Sequence, residues 1–147
     1  MSERIRAVVP VFVFLLNEQN EVYLQKRANT GYMDGFYDTP SGKTDEGESP
    51  KVAAKRELME EAGVQVDEKD LELFHSYLNI TEEPWLGLMF RTKRWQGDPK
   101  ICEPEKCDEA GFYSLEAIPN HVTQQVSDGL ARVVTANFIE VSYYDNI

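Results

Sequence analysis

The chain has 147 residues, of which 41% are hydrophobic, and this is enough to build one domain over residues 1–147 with a packed core. The net charge of −11 argues against the basic surface that stable binding to nucleic acid requires. Cys102 and Cys107 are too few for a disulfide framework or a zinc site, so free thiols in a reducing cytoplasm are expected. No apolar stretch has the length of a membrane-spanning segment.

The first forty residues predict strands joined by turns. Residues 5–16 are rich in Val and Phe and favour a buried strand rather than a signal peptide, because no small-residue cleavage site follows. The alternating run at residues 22–27 predicts its hairpin partner. Residues 28–35 are typical of a turn-rich loop, and residues 36–39 predict a further short strand.

A helix is predicted directly after this region. Ser49 can cap its N-terminus, Pro50 suits its first position, and Gly63 can end it. Residues 51–62 between them are good or tolerable helix formers. Before the helix, residues 41–47 predict a flexible loop that could turn around a bound ion.

The second half of the chain alternates between strand and loop patterns and ends in a helix. We expect strands at 71–80, 86–95 and 111–114, a turn at 81–84, a loop at 97–108, and a helix at 122–138 with an apolar stripe on the sheet. Because strands and helices interleave irregularly, the sheet should be mixed and covered by helices on both faces.

Three carboxylates lie on one face of the first predicted helix. Glu57, Glu60 and Glu61 have spacings of three and four residues, so they project within a turn of one another. Like charges at these spacings repel by about 0.2–0.5 kcal/mol per pair, and anions near the C-terminal end oppose the helix dipole. A hard divalent cation with oxygen ligands, Mg²⁺ first, would neutralise the cluster.

The stretch from Gly42 to Val64 resembles the Nudix box, which is a Gly, a Glu six residues later, and then Arg-Glu-aliphatic-x-Glu-Glu-x-Gly-aliphatic. Every position matches: Gly42, Glu48, Arg56, Glu57, Leu58, Glu60, Glu61, Gly63 and Val64. The resemblance implies an α/β/α sandwich with a mixed β-sheet. It also implies hydrolysis of a pyrophosphate bond in a nucleoside diphosphate linked to another moiety.

The resemblance also implies roles for individual residues. Glu60 and Glu61 would be metal ligands, joined by the backbone carbonyl of Ser41, and Glu57 would be a ligand or the general base. Arg56 would orient the neighbouring carboxylates, and its planar fork suits a bidentate contact with Glu48. Glu48, Arg56 and Glu57 are therefore the expected catalytic residues.

Further residues downstream resemble MutT-type members of the family. In such members an acidic loop often supplies a further metal ligand, and the resemblance makes Glu103 and Glu105 the candidates, with Glu105 slightly preferred. Phe112 stands where the family usually has Trp, which leaves base stacking open, and Ser41 replaces a Gly while keeping its carbonyl. Arg27 and Phe112 are the expected substrate-binding residues.

The sequence thus predicts a Mg²⁺-dependent MutT-type nucleoside triphosphate pyrophosphohydrolase, with Mn²⁺ as a substitute and oxidised nucleotides such as 8-oxo-dGTP as candidate substrates. Dinucleoside polyphosphates, nucleotide sugars and RNA 5′ ends are alternative substrates. A nucleotide sensor without activity is a second class, although such domains generally lose box glutamates. The expected partner is a small nucleotide rather than a nucleic acid or membrane, and the protein is expected to be a monomer or homodimer.

Overall fold

A computed structural model describes residues 3–80 and 83–145. It contains eight strands and two α-helices over these residues, with a turn of 3₁₀ helix at Glu68–Asp70. In chain order they are β1 (Pro10–Leu15), β2 (Val22–Arg27), β3 (Tyr37–Asp38), β4 (Ser41–Lys43), α1 (Pro50–Ala62), β5 (Glu72–Asn79), β6 (Trp85–Thr92), β7 (Cys107–Tyr113), α2 (Gln124–Leu130) and β8 (Val141–Tyr144). The turn predicted at 81–84 lies partly outside the described residues.

The strands form two sheets. The larger sheet has the order β4-β1-β6-β5-β8 and is mixed, because β1 pairs in parallel with β6 and antiparallel with β4. The smaller sheet has the order β3-β2-β7 and is antiparallel. The prediction of an α/β fold with a mixed sheet is therefore confirmed.

Strand β1 is buried on both faces and separates two halves of the core. One face, with Val11 and Val13, packs with the buried face of α1, whereas Phe12 and Phe14 pack with α2. This arrangement explains why β1 is a continuous apolar run rather than an alternating one. The helices accordingly cover opposite faces of the larger sheet.

The predicted hairpin between the first two strands is wrong. Both hydrogen-bonding edges of β1 are occupied by β4 and β6, and β2 belongs to the smaller sheet. The two strands meet at a bridge between Leu16 and Val22, where the Asn17 side chain accepts hydrogen bonds from the backbone of the turn. β2 is thereby directed away from β1, and its polar second half faces a cleft beside α1.

Helix α1 forms where the sequence predicts it. The Ser49 hydroxyl accepts a hydrogen bond from the Val52 N–H at 3.2 Å, and Gly63 ends the helix in a left-handed conformation with φ of 70°. Ala53, Ala54, Leu58 and Ala62 form its buried face. The small side chains of the three alanines let the helix lie close to β1. Glu57 and Glu61 lie on the same side of the helix, where they meet β4 and β2.

The second helix is shorter than predicted. It ends at Leu130, because the Arg91 guanidinium donates hydrogen bonds to the Val133 and Ala136 carbonyls at 2.9 and 2.6 Å and holds that segment in turns. Beyond it, β8 adds an edge strand that the sequence analysis did not predict. Two other boundaries also differ from the prediction. Residues 41–43 were predicted as loop but form strand β4, and strand β7 begins at Cys107, within the loop predicted at 97–108.

No helix within residues 3–80 and 83–145 is long and apolar enough to span a bilayer.

Candidate active site

The last two turns of α1 place the acid cluster against both sheets. The side chain of Glu57 is only 13% exposed, and Glu61 is partly buried, whereas the side chain of Glu60 is 51% exposed. Glu61 therefore faces β2 and β4, and Glu60 lies towards solvent. The three carboxylates that share a helix face in the sequence do not share one environment.

Glu61 is held by one donor on each oxygen. Its Oε1 accepts a hydrogen bond from the Gln25 side-chain amide at 2.6 Å, and its Oε2 accepts one from the Ser41 backbone N–H at 3.1 Å. Gln25 belongs to the smaller sheet and Ser41 to the larger one. The carboxylate of Glu61 consequently ties the helix to both sheets at one point.

The carboxyl groups of Glu57 and Glu61 face each other. Burial raises the pKa of Glu61 well above its usual range, and the hydrogen bond and charge of Glu57 raise it further. Burial also raises the pKa of Glu57, while contacts with Glu61 and the Arg56 guanidinium act in the opposite direction. Two carboxylates in this position require either a shared proton or a positive ion.

Gly42 is needed because Glu57 lies directly against its backbone. A Cβ atom on Gly42 would overlap the carboxyl group of Glu57. A side chain at this position would displace Glu57 from its partner. The first glycine of the box is thus explained by close approach of a carboxylate rather than by an unusual backbone angle.

Arg56 organises the outer side of the acid cluster. It donates two hydrogen bonds to Glu48, at 2.6 and 3.1 Å, and one to Glu57 at 2.7 Å. It also donates to the Lys43 carbonyl at 3.0 Å. The hydrogen bond from Arg56 is the main cause that lowers the pKa of Glu48 to about 2, followed by one from the Asp45 N–H. The predicted bidentate contact between Arg56 and Glu48 is present.

A cleft of about 470 Å³ opens in front of the acid cluster. Glu57, Glu60 and Glu61 line one side of it, and residues of β2 and the segments after it line the rest: Gln25, Lys26, Arg27, Asn29, Thr30, Asp38, Thr39, Ser41, Glu103, Lys106 and Cys107. Glu103 lies on this wall, whereas the Glu105 backbone carbonyl accepts a hydrogen bond from Asn29. The geometry thus places Glu103, rather than the preferred Glu105, at the cleft.

A second cavity of about 760 Å³ adjoins the cleft and shares Arg27, Asp38 and Ser41 with it. Aromatic rings and amides dominate its walls, with Phe12, Tyr32, Tyr77, Trp85, Tyr144, Asn79, Gln124 and Gln125. The Lys43 ammonium lies 5.3 Å from the centre of the Trp85 ring. This cavity can accept a flat, partly polar group, because it offers both stacking surfaces and hydrogen-bonding amides.

The two predicted substrate-binding residues differ in position. Arg27 lies between cleft and cavity, where it donates to Asp38 at 3.3 Å and to the Tyr32 carbonyl at 2.7 Å. Phe112 packs against Trp95 and Tyr23 in the core beside α1, with ring centres 6.1 and 5.6 Å away. Phe112 lines neither space, so its position offers no support for contact with a substrate.

Several residues at the site were missed by the sequence analysis. Gln25 and Lys106 line the cleft, and the aromatic cavity draws on seven strands and on α2. Gln25 could have been identified from the sequence, because it is a polar residue in a mostly buried strand. The residues of the aromatic cavity could not have been identified in this way, since they come together only through the sheet topology.

The acid cluster has the chemistry of a divalent-cation site but is not a closed cage. Among the described residues, no three His, Cys, Asp or Glu side chains converge closely enough to hold an ion by themselves. The facing oxygens of Glu57 and Glu61 are nevertheless the hard donors that such ions prefer, and Ser41 and Glu60 line the same cleft. The residues therefore fit a cation that also binds water or phosphate oxygens.

Residues 6–134 match the NUDIX domain family. An 8-oxo-dGTP diphosphatase of Escherichia coli is 34% identical over 85 residues, which cover 56% of this chain and 64% of that protein. An RNA pyrophosphohydrolase of a Wolbachia strain is 36% identical over 131 residues, covering 84% of this chain and 78% of that protein. The chain thus spans just under two thirds of the E. coli relative.

The fold agrees with solved structures as well. A MutT Nudix hydrolase from Burkholderia pseudomallei superposes with a TM-score of 0.80 at 23% identity, covering 88% of this chain and 99% of that one. The box, the arrangement of helices on both faces of a mixed sheet, and the domain match over most of the chain lead to the same conclusion. The chain belongs to the Nudix family.

Proposed function

We propose that this protein is a divalent-metal-dependent pyrophosphohydrolase that cleaves a nucleoside triphosphate into a nucleoside monophosphate and pyrophosphate. The observation that carries the proposal is the facing pair of partly buried carboxylates, Glu57 and Glu61, on one side of a cleft that adjoins an aromatic cavity. The cleft suits the phosphates, and the cavity suits the nucleoside.

Mg²⁺ is the proposed ion, with Mn²⁺ as a substitute, since Nudix hydrolases generally use divalent metals. Glu57, Glu60 and Glu61 would hold it together with the Ser41 carbonyl, and Glu103 is the candidate ligand from the facing loop. When bound, the ion would neutralise phosphate oxygens and lower the pKa of a coordinated water.

The chain's own residues have distinct tasks in this proposal. Lys26, Arg27 and Lys106 line the cleft and would attract the polyphosphate, which the surrounding acidic residues alone would repel. Arg56 holds Glu57 through its Oε1 atom. The other oxygen of Glu57 can then accept a proton from the attacking water, whose oxygen bonds to phosphorus as the bridging P–O bond breaks.

The nucleoside is proposed to occupy the aromatic cavity. Tyr32, Tyr77 and Trp85 can stack on a base, and the side-chain amides there can donate to or accept from its edge. Oxidised purine triphosphates are the first candidate substrates because an 8-oxo-dGTP diphosphatase is among the relatives. RNA 5′ ends are the second, because the RNA pyrophosphohydrolase match covers most of the chain.

The test is an assay of the pure protein against 8-oxo-dGTP, the four dNTPs, a dinucleoside polyphosphate, a nucleotide sugar and a 5′-triphosphate RNA. We expect pyrophosphate and monophosphate from the preferred triphosphate with Mg²⁺ or Mn²⁺, and no turnover with excess EDTA. Undiminished turnover in EDTA would refute the metal requirement, and binding without hydrolysis across the panel would favour a sensor.

A further inference from the structure

Gln25 is an unusual residue for its position in the fold. It lies in the middle strand of the smaller sheet and is only 8% exposed, between neighbours that pair with β3 and β7 on either side. A buried amide is costly unless its hydrogen bonds are made. Its amide N–H group makes one to the Glu61 carboxylate, 36 residues away along the chain, at 2.6 Å.

We propose that Gln25 is a positioning residue for the metal site: its amide holds the Glu61 carboxylate at the angle needed for a divalent cation in the cleft. This inference rests on the proposed function. Gln25 would not bind the metal or the nucleotide itself. It would act through Glu61, which it contacts from a strand fixed on both edges.

The hydrogen bonds leave Glu61 able to bind a cation. Gln25 occupies one lone pair of Oε1, and the Ser41 N–H occupies one lone pair of Oε2. Each carboxylate oxygen has two lone pairs, so one on each oxygen remains. Because the two donors come from different sheets, they fix the carboxylate plane as well as its position.

The neutrality of Gln25 is the second part of the argument. Lys26 and Arg27 follow directly in the chain and also line the cleft, but their charged groups pair with Glu109 at 4.0 Å and Asp38 at 3.3 Å rather than with Glu61. A cationic donor at position 25 would neutralise Glu61 and repel a metal ion. An amide supplies the hydrogen bond while the carboxylate keeps its charge for the ion.

The effect expected from this role is a change in metal affinity. Residues that orient a metal ligand typically contribute 10–100-fold to affinity or activity. We therefore expect Gln25→Met, which has a similar length but no donor, to raise the dissociation constant for Mn²⁺ by about tenfold. Gln25→Lys restores a donor but adds charge, so it should weaken Mn²⁺ binding at least as much.

The experiment is titration of the nucleotide-free protein with Mn²⁺, followed by the electron paramagnetic resonance signal of the free ion, for wild type and both variants. Thermal unfolding in EDTA shows whether each variant is folded. Ser76→Ala is the matched control, because the Ser76 hydroxyl donates a buried hydrogen bond to the Gly87 carbonyl in β6, outside both cavities. This control should lose stability and keep wild-type Mn²⁺ affinity.

The possible outcomes separate this inference from the proposed function. If wild type does not bind Mn²⁺, the metal-dependent function fails. If wild type binds it and Gln25→Met binds equally well, the positioning role is refuted. Should Gln25→Met fail to fold, Gln25→Lys decides, because wild-type affinity in that variant would overturn the requirement for a neutral donor. Weakened binding in the folded variants, with normal binding in Ser76→Ala, supports the proposal.

Discussion

Helix α1 and the loop before it contain two carboxylate environments that differ in how their charge is balanced. Glu48 is fully paired within the chain, because Arg56 makes a bidentate contact with it and lowers its pKa to about 2. Glu61 receives only neutral donors, faces another carboxylate, and has a pKa raised well above its usual range. The negative charge of Glu48 is thus neutralised within the protein, whereas the charge of Glu61 is left for a bound cation to neutralise.

Glu57 connects the two environments, since Arg56 contacts one of its oxygens and Glu61 faces it. Glu57→Gln should reduce kcat/KM by about 100-fold or more, because it removes both a metal ligand and the proposed proton acceptor. Steady-state kinetics with saturating Mg²⁺ measures this loss. Activity within a few-fold of wild type would remove Glu57 from the mechanism.

Weakening the contacts that Arg56 makes with Glu48 and Glu57 should reduce activity less. Arg56→Lys keeps the charge but loses the planar fork that contacts Glu48 and Glu57 together. We expect kcat to fall by about tenfold, since a hydrogen bond to a charged group contributes about 1.5–3 kcal/mol and Lys can retain only part of the set. Wild-type kinetics would show that Arg56 is dispensable for orienting Glu57.

Substitutions of the two glutamates in the loop before β7 form a matched pair, and we expect a smaller change in rate from them. Glu103 lines the cleft, and Glu105 contributes its backbone carbonyl to Asn29. Glu103→Gln should therefore lower the rate several-fold more than Glu105→Gln, which removes a charge of the same sign only two residues away. Wild-type rates in both variants would indicate that this loop supplies no metal ligand, and equal losses would contradict the assignment to Glu103.

The smallest expected effect is on the stability of the folded protein at acid pH. The pKa of Glu48 is lowered in the folded state, so its contribution is present above the unfolded value near 4.5 and is lost as the pH falls towards 2. Glu48→Gln should make the unfolding temperature less dependent on pH across this window. The check is thermal unfolding from pH 5 to 2.5, and an unchanged slope would show that the contact adds no pH-dependent stability.

The sequence indicated α1 and its acid cluster because caps, box spacing and helix periodicity all lie within a short stretch. It could not indicate that Glu61 is partly buried while Glu60 is exposed, because that difference comes from strands β2 and β4. It also failed at β8 and at the end of α2, where hydrogen bonds from Arg91, some 40 residues upstream, override helical spacing. Local patterns predicted local structure, and contacts between distant segments set the site.

The aromatic cavity illustrates the same limit. Trp85, Tyr77 and Tyr144 come from three different strands and meet beside Ser41 only after the larger sheet has formed. No spacing in the sequence links them. The predictions of a single domain over residues 1–147, cytoplasmic location and monomeric or dimeric state remain predictions.

The most direct test of the account is thermal unfolding of wild type and Glu61→Gln, each in EDTA and in millimolar Mg²⁺. Gln at position 61 removes the like-charge contact with Glu57, and the Gln25 amide can rotate to preserve its hydrogen bond. In EDTA the variant should thus be as stable as wild type or more stable by about 0.5–1 kcal/mol.

With Mg²⁺ the wild type should gain about 2.7 kcal/mol when the ion is at 100 times its dissociation constant, and the variant should gain much less. Such a crossover is the result the account predicts. If Glu61→Gln instead destabilises the metal-free protein and both proteins gain equally from Mg²⁺, then Glu61 is a structural residue and the cation site is elsewhere.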